Sequence, residues 1–80
     1  MPGEVLVKTE AQATRTEVAD ALRDAAAQIE SGAVHVASDT DEQTVTVPEN
    51  PQFEVEIERL TDSETGAQRY ELEYEIRWTK

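Results

Sequence analysis

Six glutamates, Glu54, Glu56, Glu58, Glu71, Glu73 and Glu75, alternate with apolar residues in two stretches and form the densest set of chemically capable side chains in the sequence. Carboxylates in such numbers suit three kinds of chemistry. Clustered oxygens hold hard divalent cations at about 2.1–2.5 Å, a carboxyl pair flanking a glycosidic bond hydrolyses it, and a regular line of anions recognises a basic partner. Hydrolysis needs a cleft, and an 80-residue chain encloses little pocket, so no enzymatic activity is expected. A flat strand face also offers a divalent ion few convergent ligands and no backbone carbonyls, which leaves room only for weak Ca²⁺ or Mg²⁺ binding. The plainest reading is a solvated face. It keeps water and hydrated monovalent cations around the domain and opposes edge aggregation without specific contact. Weak divalent-cation binding and recognition of a basic protein stay open beside it.

Other candidates carry less. His35, the single histidine, alternates with Val34 and Val36 and reads as an exposed strand residue rather than a metal ligand or general base. Asp39-Thr40-Asp41 begins like a calcium loop, but the sixth loop position is Thr44 where glycine is needed and the twelfth is Asn50, so the segment reads as a turn. Asp62-Ser63-Glu64-Thr65-Gly66 likewise has hairpin-loop chemistry. With no cysteine there is no disulfide framework, thiolate zinc site or cysteine nucleophile. No Gly-rich phosphate loop is present, nor a serine with a suitable histidine, nor a terminal Gly-Gly, and no cofactor is expected.

The charge behind these residues sets the class of partner. Eighteen acidic against seven basic side chains give −11 at pH 7, so the chain should repel nucleic acid phosphates and anionic lipid and favour cations and basic proteins. Low hydrophobicity with high charge also marks disorder, but here the apolar residues fall in periodic blocks separated by turn chemistry. Five arginines and only two lysines, with ten alanines, nine threonines and eight valines, give a salt-adapted composition. Molar salt shortens the Debye length to about 3 Å and removes most of the self-repulsion of such a surface. The start, Met1-Pro2-Gly3-Glu4-Val5, lacks a basic segment followed by an apolar run, and no stretch approaches the ~20 apolar residues of a membrane span. A cytoplasmic protein is expected.

The elements that position the glutamates follow from periodicity. Glu4–Glu10 alternates as a short first strand. Thr14-Arg15-Thr16-Glu17 fits a capping box, and the helix it starts runs to about Ser31, with Val18, Ala19, Ala25, Ala26 and Ile29 within about 60° of Leu22 on its wheel. Gly32 supplies the residue able to take positive φ after the last turn. The period then changes to two: Val34 and Val36, a polar turn at residues 39–42, and Val45 and Val47 make a hairpin. Pro48 and Pro51 cannot donate to a ladder and place a loop between them. Strands from Gln52 to about Leu60 and from Arg69 to Thr79 close the chain.

The resulting expectation is one α+β domain over residues 1–80, with no second domain or linker. One amphipathic helix packs on one face of a mostly antiparallel sheet of about five strands, in the order β-α-β-β-β-β. Such a sheet spans roughly 20 Å while a helix covers about 10–12 Å, so either the sheet curls or a second subunit covers the remainder in a homodimer. Phe53, Tyr70, Tyr74 and Trp78 share the inward parity of the last hairpin and line either the core or that interface. Outward parity then opposes glutamate to glutamate: one register sets Glu58 by Glu71, Glu56 by Glu73 and Glu54 by Glu75, and a slip of two residues changes the partners but leaves most of the pairs acidic.

The helix from Thr14-Arg15-Thr16-Glu17-Val18-Ala19 through Leu22, Ala26, Ile29 and Gly32, the Val47-Pro48 step and the alternation Glu71-Leu72-Glu73-Tyr74-Glu75-Ile76-Arg77-Trp78 resemble the amphi-Trp domain family. The resemblance covers nearly the whole chain and implies the salt-rich cytoplasm of halophilic archaea. It brings no catalytic signature and assigns no functional residue.

Overall fold

A computed structural model describes residues 3–80, and its helix starts where the capping box lies. Helix α1 spans Arg15–Ser31 behind Thr14, which holds an extended backbone at φ −76°, ψ 161°. The Glu17 N–H donates to Thr14 Oγ1 at 3.1 Å, and the Thr14 N–H donates to Glu17 Oε1 at 3.0 Å. An N-cap side chain of this kind stabilises its helix by about 1 kcal/mol. At the other end Gly32 sits at φ +100°, and its N–H reaches the carbonyls of Gln28 and Ile29. A side chain at that φ would meet its own backbone, so the glycine makes the reversal at low steric cost.

The reversal feeds directly into β1, Ala33–Ala37, which pairs antiparallel with β2, Glu42–Thr46. Between them the Ser38 N–H donates to the Asp41 carbonyl at 2.7 Å and Ser38 Oγ accepts from the Asp41 N–H at 3.1 Å, a side-chain-braced turn. The Val47 N–H closes the hairpin onto the Gly32 carbonyl at 2.9 Å. Helix α1 lies against β1. Its Gln28 Oε1 accepts from the His35 N–H at 2.8 Å, tying the last helical turn to the strand.

After the Pro48–Pro51 segment come β3, Gln52–Thr61, and β4, Gln68–Arg77, paired antiparallel along ten residues each. The chain divides at this segment into two compact units, Met1–Glu49 and Asn50–Lys80. Prolines lack the N–H that would extend a ladder across the segment, so β2 and β3 stay in different sheets.

The class is α+β, and three expectations about it are corrected. Residues 4–10 form no strand: Val5 and Leu6 are exposed at 77% and 52%, and alternation produces a strand only where an edge is available to pair. The described residues hold four strands, not five, in two separate two-stranded sheets rather than one sheet under a helix. No described residue is buried, and Val18 and Leu22 on the helix stripe stay half-exposed. The last strand also ends at Arg77 instead of Thr79, which leaves Trp78 just beyond the ladder. Met1 and Pro2, the first two residues of the Met1–Val5 start considered in the sequence, lie outside the described residues. Among those residues no helix is long and apolar enough to cross a membrane.

Candidate functional site

The β3–β4 ribbon is organised from its turn outward. Asp62 Oδ1 accepts from the N–H groups of Glu64 at 2.8 Å and Thr65 at 3.0 Å, and Thr65 Oγ1 accepts from the Ala67 N–H at 3.2 Å. The N–H groups of Thr65 and Glu64 favour the charged carboxylate and hold Asp62 below its usual range. Gly66 takes φ +76°, its N–H donates to the Asp62 carbonyl at 2.9 Å, and the Asp62 N–H meets the Ala67 carbonyl at 2.8 Å. The turn thereby fixes Thr61 opposite Gln68, and every later pair follows from it.

Three of those pairs are glutamate on glutamate: Glu58 with Glu71, Glu56 with Glu73 and Glu54 with Glu75, one of the registers that the sequence leaves open. Directly opposed like charges destabilise a ladder. The structure relieves part of this at the ends. Arg77 reaches Glu54 through Nη2 and Glu75 through Nη1, both at 3.3 Å, and Arg69 Nη2 lies 3.3 Å from Glu71 Oε1. Glu56 and Glu73 at the centre have no ion pair among the described residues. The sequence reading missed these arginines as relief for the ladder, although the signal was present: Arg69, Glu71, Glu73, Glu75 and Arg77 share one parity.

The other face is apolar and exposed. It pairs Phe53 with Ile76, Val55 with Tyr74, Ile57 with Leu72 and Arg59 with Tyr70. The rings of Phe53 and Tyr74 stack diagonally at 6.2 Å between centroids and 21° between planes. Exposure reaches 61% at Phe53, 73% at Ile57 and 63% at Tyr70. The register thus brings Phe53, Tyr70 and Tyr74 onto one face. Trp78 instead lines an open depression at the ribbon end, with Gln52, Ile76, Arg77 and Thr79.

The remaining candidates occupy structural positions. His35 is exposed on β1, with Nδ1 2.8 Å from Thr44 Oγ1 and Nε2 3.8 Å from Glu42 Oε2. Asp39 and Asp41 lie in and beside the β1–β2 turn. Among the described residues no three histidine, aspartate or glutamate side chains converge as a metal site. The ribbon therefore presents two chemically opposite faces back to back, one a water-facing double line of carboxylates, the other a nearly charge-free apolar strip.

No curated protein and no solved structure matches the chain. The Amphi-Trp domain matches it over residues 1–80, and the protein belongs to that family.

Proposed function

We propose that this chain is a small non-catalytic protein-interaction module of a salt-rich cytoplasm, and that the β3–β4 ribbon is its working part. The observation that carries this reading is the exposure of an entire strand face: Phe53, Ile57, Leu72 and Tyr70 all leave more than half of their surface in water. Taking 150–250 Å² as the area an aromatic side chain can bury, Phe53, Tyr70 and Tyr74 alone expose roughly 350 Å², and the aliphatic residues between them bring the face to roughly 700 Å². That exceeds the roughly 300–600 Å² of the largest apolar patch on a typical soluble monomer and marks a docking surface. The glutamate face keeps the ribbon hydrated and gathers monovalent cations.

A second reading has its own observation. Glu56 and Glu73 oppose each other without an arginine, so a lysine or arginine of a basic partner would find two carboxylates ready to share it. Photo-crosslinking separates the two. A benzoylphenylalanine at position 53 should give discrete protein adducts at native salt, and the same probe at position 56 should give none. Adducts from position 56 alone would transfer the function to the glutamate face, and silence at both positions would end the docking reading.

A further inference from the structure

We infer that the occupant of the apolar face is the same face of a second copy of this chain, forming a two-fold pair of ribbons packed face to face; the inference rests on the docking reading above. The first reason is stability. A two-stranded hairpin is marginal in water unless its apolar face is covered, yet β3 and β4 pair over ten residues with that face exposed. The second is area. Roughly 700 Å² per copy is close to the ~800 Å² that each partner contributes to a stable interface.

The third reason is the distribution of charge. All six ribbon glutamates share the opposite parity, so a face-to-face pair buries no carboxylate. The single charge among the paired positions of the apolar strip is Arg59, opposite Tyr70 at the turn end. A two-fold axis through the middle of the strip, between the Val55–Tyr74 and Ile57–Leu72 pairs, brings the Arg59–Tyr70 end of one copy onto the Phe53–Ile76 end of the other. Arg59 then lies over an aromatic ring of the second copy, where its cation is favoured by the ring face. An isologous contact of this kind needs only one self-complementary strip.

The same geometry makes the pairing depend on salt. Packed sheets lie about 10 Å apart, so the two glutamate lines point away from each other across both layers. That separation equals or exceeds the Debye length, about 10 Å at 0.1 M and about 3 Å at 1 M, so repulsion between copies at −11 each fades in concentrated salt.

Sedimentation equilibrium of the full chain from about 1 µM to about 1 mM should show the mass double, with pairing tighter at about 2 M than at about 0.1 M KCl. Ile57→Glu should weaken pairing roughly 30-fold or more. Because that variant could lose the ribbon itself, wild-type chain mixed from isotopically labelled and unlabelled copies supplies an independent readout. Filtered NOEs should link Phe53 of one copy to Arg59 or Tyr70 of the other. A dimer whose intermolecular NOEs arise from α1 or from the strand edges overturns the inference, as does a monomer at about 1 mM. In a monomer, crosslinks from position 53 to a different protein would leave the docking reading standing. NOEs from Phe53 to the chain's own Leu22 or Ile29 would remove both.

Discussion

The hairpins β1–β2 and β3–β4 are both antiparallel, but different interactions shape them. β1 and β2 pair over five residues each, and their surroundings are tied by side chains bonded to backbone: Gln28 to His35, Ser38 to Asp41, and Thr14 with Glu17 at the start of α1. β3 and β4 pair over ten residues and, among the described residues, have such contacts only in the turn, at Asp62 and Thr65. Their order comes from alternation, which places every carboxylate of the two strands on one face and every aromatic on the other. The first region is specified residue by residue, and the second by a pattern of alternation counted from its turn. A region of the first kind should respond to point changes at its hydrogen-bonded positions. One of the second kind should respond to charge, salt and cover.

The largest expected effect tests the second half of that contrast. Replacing all six ribbon glutamates by glutamine removes three opposed like-charge pairs, each costing about 0.2–1 kcal/mol, and should stabilise the chain by up to about 3 kcal/mol in about 0.1 M KCl, less what the Arg69 and Arg77 contacts already relieve. In about 2 M KCl the gain should shrink to a small fraction. Melting followed by circular dichroism at both salts measures this, and equal salt slopes for variant and wild type would mean that the ladder is not what salt relieves. Next in size, Gly32→Ala forces a side chain into φ +100° and should cost about 1–2 kcal/mol. Amide exchange should locate the loss in α1 and β1 and leave β3–β4 unchanged; a loss spread over both hairpins would erase the distinction between them.

A smaller effect separates positions within the ribbon. Glu56→Gln should stabilise by about 0.5 kcal/mol, because its partner Glu73 is relieved and no arginine is lost. Glu54→Gln forfeits the Arg77 contact and should gain nothing. Denaturant midpoints in low salt distinguish them, and identical responses would show that Arg77 neutralises nothing. The smallest effect is that of acid. The Thr14 N–H and then its hydroxyl hold Glu17 below its ordinary 4.5, and the N–H groups of Thr65 and Glu64 hold Asp62 below its ordinary 3.8. A lowered native pKa gives stability that is present above the unfolded value and lost as pH falls through the native one. Protection of the helix start should therefore weaken below about pH 4.5, and that of the ribbon turn below about pH 3.8. Chemical-shift titration of the Glu17 and Glu64 amides follows both, and Glu17 titrating at its ordinary value would remove the capping box as the cause.

The helix, both hairpins and the common face of the glutamates were legible because each is written in local chemistry. Thr14 and Glu17 stand at capping-box spacing, Gly32 follows the last apolar position, and parity in β3 and β4 leaves the glutamates one side to occupy. What was not legible depended on a partner element. Glu4–Glu10 has the alternation of a strand, but a strand also needs an edge, and nothing in the spacing of Val5 and Val7 says whether one exists. The Gln28 link to β1 was hidden for a related reason: on the helical wheel Gln28 falls on the polar side, and only the reversal at Gly32 brings the His35 N–H within its reach. Of the site, the opposition of glutamate to glutamate followed from parity, whereas the exact partners depended on the turn and the relief by Arg69 and Arg77 on which rotamers reach across. The covering of the apolar face is a matter of tertiary or quaternary packing, on which a period of two is silent.

The Asp62–Ala67 turn has a consequence for how such a sequence tolerates change. Because it fixes the first pair, Thr61 with Gln68, each residue of β4 has its face assigned by counting from the turn. Exchanging one glutamate for glutamine or one tyrosine for phenylalanine leaves the count intact. Deleting a single residue between Tyr70 and Tyr74 would turn every later side chain to the opposite side, setting Tyr74 among carboxylates and Glu75 among aromatics. The ribbon behaves as a reading frame: lenient toward substitution, intolerant of a one-residue shift, and restored by a second shift that resets the count.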